Sequence, residues 1–230
     1  MEIIAYVRND FPTKFALPRQ SGIVTSLESR IVFTPPYRDE NALRGIEGFS
    51  HLWVIWEISG NKTGEWSPTV RPPRLGGNVR MGVFATRSPF RPNPIGLSCV
   101  RLDRIEQTEE GAVLVVTGGD MMDGTPILDI KPYVPYSDSI PDALGGFAPA
   151  APDRRLPVHF PDAPARRLPP DRLETLTGVL SLDPRPAYHR DPDRVYGFRY
   201  GDVEVRFRVK EDRVEVVDLL PVSDPGEVHK

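Results

Sequence analysis

The sequence predicts a mainly β protein, an antiparallel β-barrel followed by a small C-terminal α+β domain. Three features carry that expectation. Proline is dense, 26 of 230 residues, against a usual share of about 5%. Proline breaks helix interiors and favours short strands joined by stiff turns. The first 140 residues hold short apolar runs rich in β-branched and aromatic residues, and they offer one helical candidate, residues 39–45. Strands without intervening helices point to a barrel or sandwich, not to a βαβ sheet.

In chain order, strands are expected over residues 3–7, 21–25, 30–33, 51–58, 81–86, 96–105, 112–117 and 126–133, each bounded by Pro, Gly, Asn or Asp. Residues 141–170 change character, being small and proline-rich, and read as a linker. A helix then follows, with Asp171 and Glu174 as a capping box and Leu173, Leu176, Val179 and Leu180 on one face, ending before Pro184. Residues 203–209 alternate strictly and residues 214–219 return across a turn, a hairpin with one apolar face. The expected organisation is therefore a barrel domain over 1–140, a linker over 141–170 and a helix-plus-hairpin domain over 171–230.

The formal charge of −3 argues against a general polyanion binder, but distribution matters more than the sum. From Arg71 to Arg101 there are six arginines and no Asp or Glu, and the whole chain has only five lysines. Guanidinium suits phosphate and carboxylate better than ammonium does. The lone Cys99 lies in an apolar run and reads as a small core residue, which excludes a disulfide framework or a paired-cysteine zinc site. Four scattered histidines give no metal-ligand spacing, so no metal is expected. The N-terminal ten residues lack a basic, apolar leader pattern, and no run approaches 18 apolar residues. A soluble, cytoplasmic protein without membrane contact is the expectation.

Nucleotide and catalytic signatures of the GxGxxG, GxxxxGK[ST], HExxH and GxSxG types are absent. Three other segments stand out. In the first, Pro18 fixes a loop that carries Arg19 and Gln20. In the second, Pro89, Pro92 and Pro94 stiffen a loop presenting Arg87 and Arg91, and Gly96 lets backbone approach another group closely. Such a loop suits an anion or cofactor site; the alternative is a rigid connection whose arginines pair with Asp120 or Asp123. The third couples the turn at Asp123 and Gly124 to a strand bearing Asp129 and Lys131, either a cleft lining or an ordinary turn with one surface ion pair.

These residues carry a family resemblance. Ala16-Leu-Pro-Arg-Gln20, Gly48-Phe-Ser-His-Leu-Trp53, Val70-Arg-Pro-Pro-Arg-Leu-Gly-Gly-Asn78, Gly82-Val-Phe-Ala-Thr-Arg-Ser88, Phe90-Arg-Pro-Asn-Pro-Ile-Gly96, Asp123-Gly-Thr-Pro126 and Asp129-Ile-Lys-Pro-Tyr133 resemble the TsaA-like family, in particular its bacterial TrmO tRNA methyltransferases. Asp183-Pro-Arg-Pro-Ala-Tyr188 is similar to the matching C-terminal signature.

The resemblance implies a homodimeric barrel enzyme that moves a methyl group from S-adenosylmethionine to N6 of threonylcarbamoyladenosine beside the tRNA anticodon. It places cofactor contacts on Pro18, Arg19, Gln20, Ser59, Gly60, Arg87, Leu97, Asp123, Gly124, Thr125, Pro126, Ile127, Leu128 and Asp129. The small Ser59 and Gly60 stand where relatives carry larger polar residues, so backbone contacts are expected there. Asp129, Tyr133 and Asp138 are the candidates for a base that takes the N6 proton. Arg71, Arg74, Arg80 and Arg91 are expected to meet tRNA phosphates or the threonyl carboxylate. Arg185 and Tyr188 would grip the anticodon stem-loop, or else pack the small domain against the barrel. His51, Trp53 and Trp56 are expected in the core or a dimer interface. The competing readings are a non-catalytic RNA- or nucleoside-binding barrel, and a small-molecule methyltransferase on the same fold.

Overall fold

A computed structural model describes residues 1–59, 66–72, 75, 78–149, 155–161, 167–186 and 191–222. Twelve strands are present among them: β1 (Ala5–Arg8), β2 (Glu28–Phe33), β3 (His51–Glu57), β4 (Thr69–Val70), β5 (Met81–Gly82), β6 (Ile95–Thr108), β7 (Gly111–Thr117), β8 (Pro126–Pro132), β9 (Val158–His159), β10 (Tyr196–Tyr200), β11 (Val203–Lys210) and β12 (Arg213–Pro221). Two α-helices join them, α1 (Pro135–Asp138) and α2 (Pro170–Ser181).

Six strands pair antiparallel in the order β1-β2-β7-β6-β3-β8, and β8 returns to β1, so the sheet is a closed barrel. Alternation decides its two faces. Ala5, Val7, Ile31, Leu52, Val54, Val100, Leu114, Val116 and Ile127 point inward as one buried cluster. Along β3 the intervening Trp53 and Ile55 therefore face outward. The register of β6 against β7 slips between Leu102 and Arg104. Asp103 is the extra residue of a bulge, which lets one long strand serve β3 with its first half and β7 with its second.

The second sheet, β10-β11-β12-β9, carries α2 and a core of its own in which Leu176, Val179, Leu180, Val205, Phe207 and Leu219 are buried. Phe11, Ala16, Val24 and Leu27 from the N-terminal half belong to that same core. This explains why residues 21–25 are not the expected strand. Their backbone groups are satisfied one by one instead of by a ladder: the Gly22 amide donates to the Gly118 carbonyl at 2.8 Å and Arg155 Nη2 to the Ile23 carbonyl at 2.7 Å, while just beyond them Thr175 Oγ1 donates to the Ser26 carbonyl at 2.7 Å.

Other expectations are corrected in detail. Residues 81–86 form only the two-residue β5, followed by a 3₁₀ turn over Val83–Ala85 that Thr86 closes through its hydroxyl. The helical candidate at 39–45 is a 3₁₀ helix over Glu40–Leu43, capped by the Asp39 carboxylate accepting from the Asn41 amide. Helix α2 starts two residues earlier than the capping box requires. Pro170 presets its first turn, Pro169 is the N-cap, and no side chain caps the end, so Asp171 lies inside the first turn. The stretch 141–170 is more than a linker, since β9 pairs parallel with β12 and Leu156 and Leu168 are buried in the second core. Strand β10 lies outside the expected set, although Tyr196, Phe198 and Tyr200 alternate inward along it.

Candidate active site

Strand β7 pairs with β6 only from Arg101 onward, which leaves the first half of β6 with a free edge. The proline-fixed loop of the first segment covers it. The Cys99 amide donates to Ser21 Oγ at 3.2 Å, and the Gly22 amide donates to the Gly118 carbonyl at 2.8 Å. Pro18 is buried as the anchor, while Arg19 is exposed and Gln20 half-buried. From the opposite side comes the second segment, whose Arg87 Nη1 donates to Gln20 Oε1 at 2.6 Å. Two segments separated by 67 positions thus meet at one end of the barrel.

Beneath this contact lies a polar cluster that sequence reading did not assign. Trp56 Nε1 donates to Ser98 Oγ at 2.9 Å, and Ser98 in turn donates to the Asp120 carboxylate. The Ser21 amide also donates to that carboxylate, and Arg87 attracts it. Burial nevertheless dominates and raises the Asp120 carboxyl above its ordinary value. Gly96 is required here: a Cβ at that position would lie 2.1 Å from the Trp56 ring. The group expected to approach Gly96 closely is therefore the Trp56 indole. A signal was available in the sequence, because Ser98 occupies an inward position between apolar neighbours on an alternating strand.

Leu97 faces outward, 50% exposed, opposite Ile55 of β3, which in turn lies opposite Asp129 of β8. These three share one row on the outer face. Asp129 pairs with Lys131 at 2.9 Å, the surface ion pair of the alternative reading. One row along, Cys99, Trp53 and Lys131 are neighbours, and Cys99 is half-buried rather than part of the core. The next row brings His51 and Tyr133 together, with Tyr133 tilted against Trp53 at a centroid distance of 5.8 Å. Asp138 Oδ2 accepts from Trp53 Nε1 at 3.0 Å and from the Val134 amide at 2.8 Å, so its carboxylate braces the short α1 turn.

The third segment lies at the β1–β8 edge. Gly124 takes φ +74°, and the turn is strapped to β1 by the Asp123 amide on the Phe11 carbonyl and the Gly124 amide on the Val7 carbonyl, both 2.8 Å. Asp123 Oδ1 accepts from the Asn9 amide at 3.1 Å. Thr125, Pro126 and Ile127 are buried, and Leu128 is half-buried. Asp123 also lines a cavity of about 560 Å³ with Asn9, Asp10, Arg199 and Asp202. Among the described residues no hydrogen bond or ion pair joins Arg87 directly to Asp123 or Asp129; its partners are Gln20 and, through charge, Asp120.

Of the arginines expected to meet RNA, Arg71 and Arg80 are exposed. Arg91 spends Nη1 on the Thr86 and Ser88 carbonyls, at 3.1 and 3.4 Å, and so stiffens its own loop. Arg185 is paired with Asp183, two residues before it, at 2.9 Å. Ser59 is exposed, whereas Gly60, Arg74 and Tyr188 lie outside the described residues. No group of three or more His, Cys, Asp or Glu with metal-binding geometry occurs among the described residues.

Comparison with known proteins now decides the family. The model of the tRNA-methyltransferase O N-terminal domain matches residues 6–139, and that of the TrmO C-terminal domain matches residues 153–222. This chain belongs to the tRNA-methyltransferase O family. It is 42% identical to the tRNA (adenine(37)-N6)-methyltransferase of Escherichia coli over 228 residues, covering 96% of this chain and 97% of that one. It is 52% identical to the enzyme of that name from Eikenella corrodens, over 76% of this chain and 99% of the relative. A crystal structure of TrmO from Pseudomonas aeruginosa superposes with a TM-score of 0.77 at 34% identity, covering 95% and 96% of the two chains. Gln20, Arg87, Leu97, Asp120, Asp123 and Asp129 all fall within the N-terminal TrmO span.

Proposed function

We propose that this chain is an S-adenosylmethionine-dependent methyltransferase that methylates N6 of threonylcarbamoyladenosine beside the anticodon of tRNA. Membership of the tRNA-methyltransferase O family over both halves of the chain supports the class. The observation that carries the assignment to a site is the 2.6 Å contact between Gln20 and Arg87 at the barrel mouth.

The residues that the reading assigns to the donor fit it chemically. Arg19 and Arg87 offer guanidinium to a carboxylate, Asp123 offers an acceptor to ribose hydroxyls, and the exposed Leu97 offers an apolar surface to a base. When bound, S-adenosylmethionine supplies an electrophilic methyl carbon, and the N6 proton must be removed as the new C–N bond forms. Positioning the two partners in line is worth several kcal/mol of the barrier. Asp129 is our choice for the proton acceptor. Its carboxylate, paired with Lys131, is half-exposed and shares a row with Leu97, whereas the Asp138 carboxylate is taken by the Trp53 indole and the Val134 amide and Tyr133 packs on Trp53. The same reading makes the anticodon stem-loop the bound part of tRNA and gives the enzyme a homodimeric, cytoplasmic form. No described helix is long and apolar enough to cross a membrane.

Purified protein, S-adenosylmethionine and tRNA carrying threonylcarbamoyladenosine should yield the N6-methylated nucleoside by mass spectrometry of digested tRNA. Cofactor binding without any methylated nucleoside would instead favour the small-molecule methyltransferase. In single-turnover assays, Asp129→Asn should slow methylation by about 10²–10⁴-fold. Unchanged rates in Asp129→Asn, Tyr133→Phe and Asp138→Asn alike would leave positioning as the whole of catalysis.

A further inference from the structure

The β4–β5 ribbon carries exposed aromatic surface that the site described above does not use. Trp66, just before β4, is 52% exposed and Phe84, just after β5, is 73% exposed. Their rings lie nearly parallel, 22° apart with centroids 6.5 Å from one another. The ribbon holds both in place: Thr69 pairs with Gly82, Val70 with Met81, and the Val83 amide donates to the Pro68 carbonyl at 3.0 Å. Phe90, also exposed, lies beside the base of the ribbon, where the Ser67 amide reaches its carbonyl at 3.4 Å. A fixed pair of aromatic faces left in water is a feature that function must explain.

We propose that Trp66 and Phe84 form a stacking platform for an unpaired base of the tRNA anticodon loop, with Arg71 and Arg80, at the other end of the ribbon, on the flanking phosphates. The proposal rests on the tRNA methyltransferase reading and adds to it the element that grips single-stranded RNA. Charge selects the occupant. Not one Asp or Glu occurs between residues 71 and 101, while Arg71, Arg80 and Arg87 are exposed there. Unpaired bases present π-faces joined by phosphates, so aromatic rings interleaved with guanidinium groups match them. The ribbon leads through the 3₁₀ turn over Val83–Ala85 directly to Arg87 and the barrel mouth. A base held on the platform is therefore held next to the site where its neighbour reacts.

The test uses the full-length protein and a fluorescent anticodon stem-loop. Loss of a stacked ring should weaken RNA binding by about 5–100-fold for Phe84→Ala and for Trp66→Ala. The slope of affinity with salt should stay as in the wild type. Arg80→Ala should do the converse, reducing that slope by about one counterion. Phe84→Tyr and Trp66→Phe, which keep a ring, should restore affinity, and S-adenosylmethionine binding by calorimetry should be unchanged throughout. A wild-type protein that binds no tRNA would remove the functional reading itself. A wild-type protein that binds, with both alanine variants binding equally well, would overturn the platform alone. Light scattering separates the remaining outcome: if the alanine variants lose RNA affinity only by falling from dimer to monomer, the aromatic pair is an interface between copies of this chain and not an RNA surface.

Discussion

At the scale of single residues, the barrel mouth is governed by a carboxylate placed where water is scarce. Asp120 receives hydrogen bonds from Ser98 and from the Ser21 amide and is attracted by Arg87, yet burial raises its carboxyl above the ordinary 3.8. A raised value in the folded state means that folding favours the neutral form. Stability from that source is fully present below the unfolded value and is lost as pH rises through the folded one. Asp120→Asn keeps an acceptor for Ser98 and removes the charge. The variant is therefore expected to melt at or above the wild-type temperature at pH 7, with its advantage fading as pH falls towards 3.8. Thermal melts over that range decide the matter. A variant less stable at neutral pH would mean that the attraction of Arg87 outweighs burial. The same residue shows what sequence reading misses. Gln20 and Arg87 stand in proline-stiffened polar loops and are conspicuous in the sequence. Asp120 follows two glycines at the end of a strand; it stands among the alternative partners for the loop arginines, but only the folded barrel shows that Ser98 and burial act on it too.

At the scale of elements, the junction between α2 and the segment at 21–27 determines how the two halves fit. Gly178 on the helix faces Val24, and a Cβ there would lie 2.9 Å from Val24 Cγ1. Alanine improves helix propensity by about 1 kcal/mol over glycine, but overpacking a buried contact costs about 1–3 kcal/mol. Gly178→Ala should therefore be neutral to destabilising by up to about 2 kcal/mol, the balance of those two terms. Val24→Ala in the same chain should recover the propensity gain, and a double-mutant cycle by urea unfolding reads the coupling. Additive effects would show that helix and segment do not press on one another. This junction also marks the limit of what was legible. The barrel strands β2, β3, β6, β7 and β8 are evident as short runs of β-branched and aromatic residues bounded by turn residues. Residues 21–25 have the same composition but meet a helix, and a local pattern does not say which neighbour will satisfy the backbone. The two-residue β9 is too short to carry any period at all.

At the scale of the whole molecule, the barrel and the second sheet are tied together by a charged knot. Arg172 of α2 lies 3.0 Å from Asp10, next to β1, and 2.8 Å from Asp202 in the β10–β11 turn. The Asp10 contact is ionic without hydrogen-bond alignment, since Arg172 Nε has no hydrogen-bonded partner. Tyr200 supplies an aromatic face to the guanidinium, with its centroid 5.0 Å away. Gly201 adopts φ +56°, and a Cβ there would lie 2.5 Å from Arg172 Nη2 and 2.6 Å from Asp10 Oδ1. The two acids respond to their places in opposite ways. Burial raises the Asp10 carboxyl, whereas the hydrogen bond from Arg172 lowers that of Asp202. Asp202 therefore contributes stability above its unfolded value, which is lost as pH falls through the folded one, and Asp10 contributes with the opposite sign. Arg172→Met keeps the aliphatic stem and removes the cation, so that two carboxylates face each other uncompensated. A loss of about 1–3 kcal/mol at neutral pH is expected, and it should shrink as acid protonates both groups. Because the knot spans both units, the loss should appear as a split transition: intrinsic fluorescence, reporting the barrel through Trp53 and Trp56, should melt above far-UV circular dichroism, which also follows α2. A single coincident transition with undiminished midpoint would show that apolar contacts, among them those of Phe11, Val24 and Leu27 with the second core, bind the halves without help from charge.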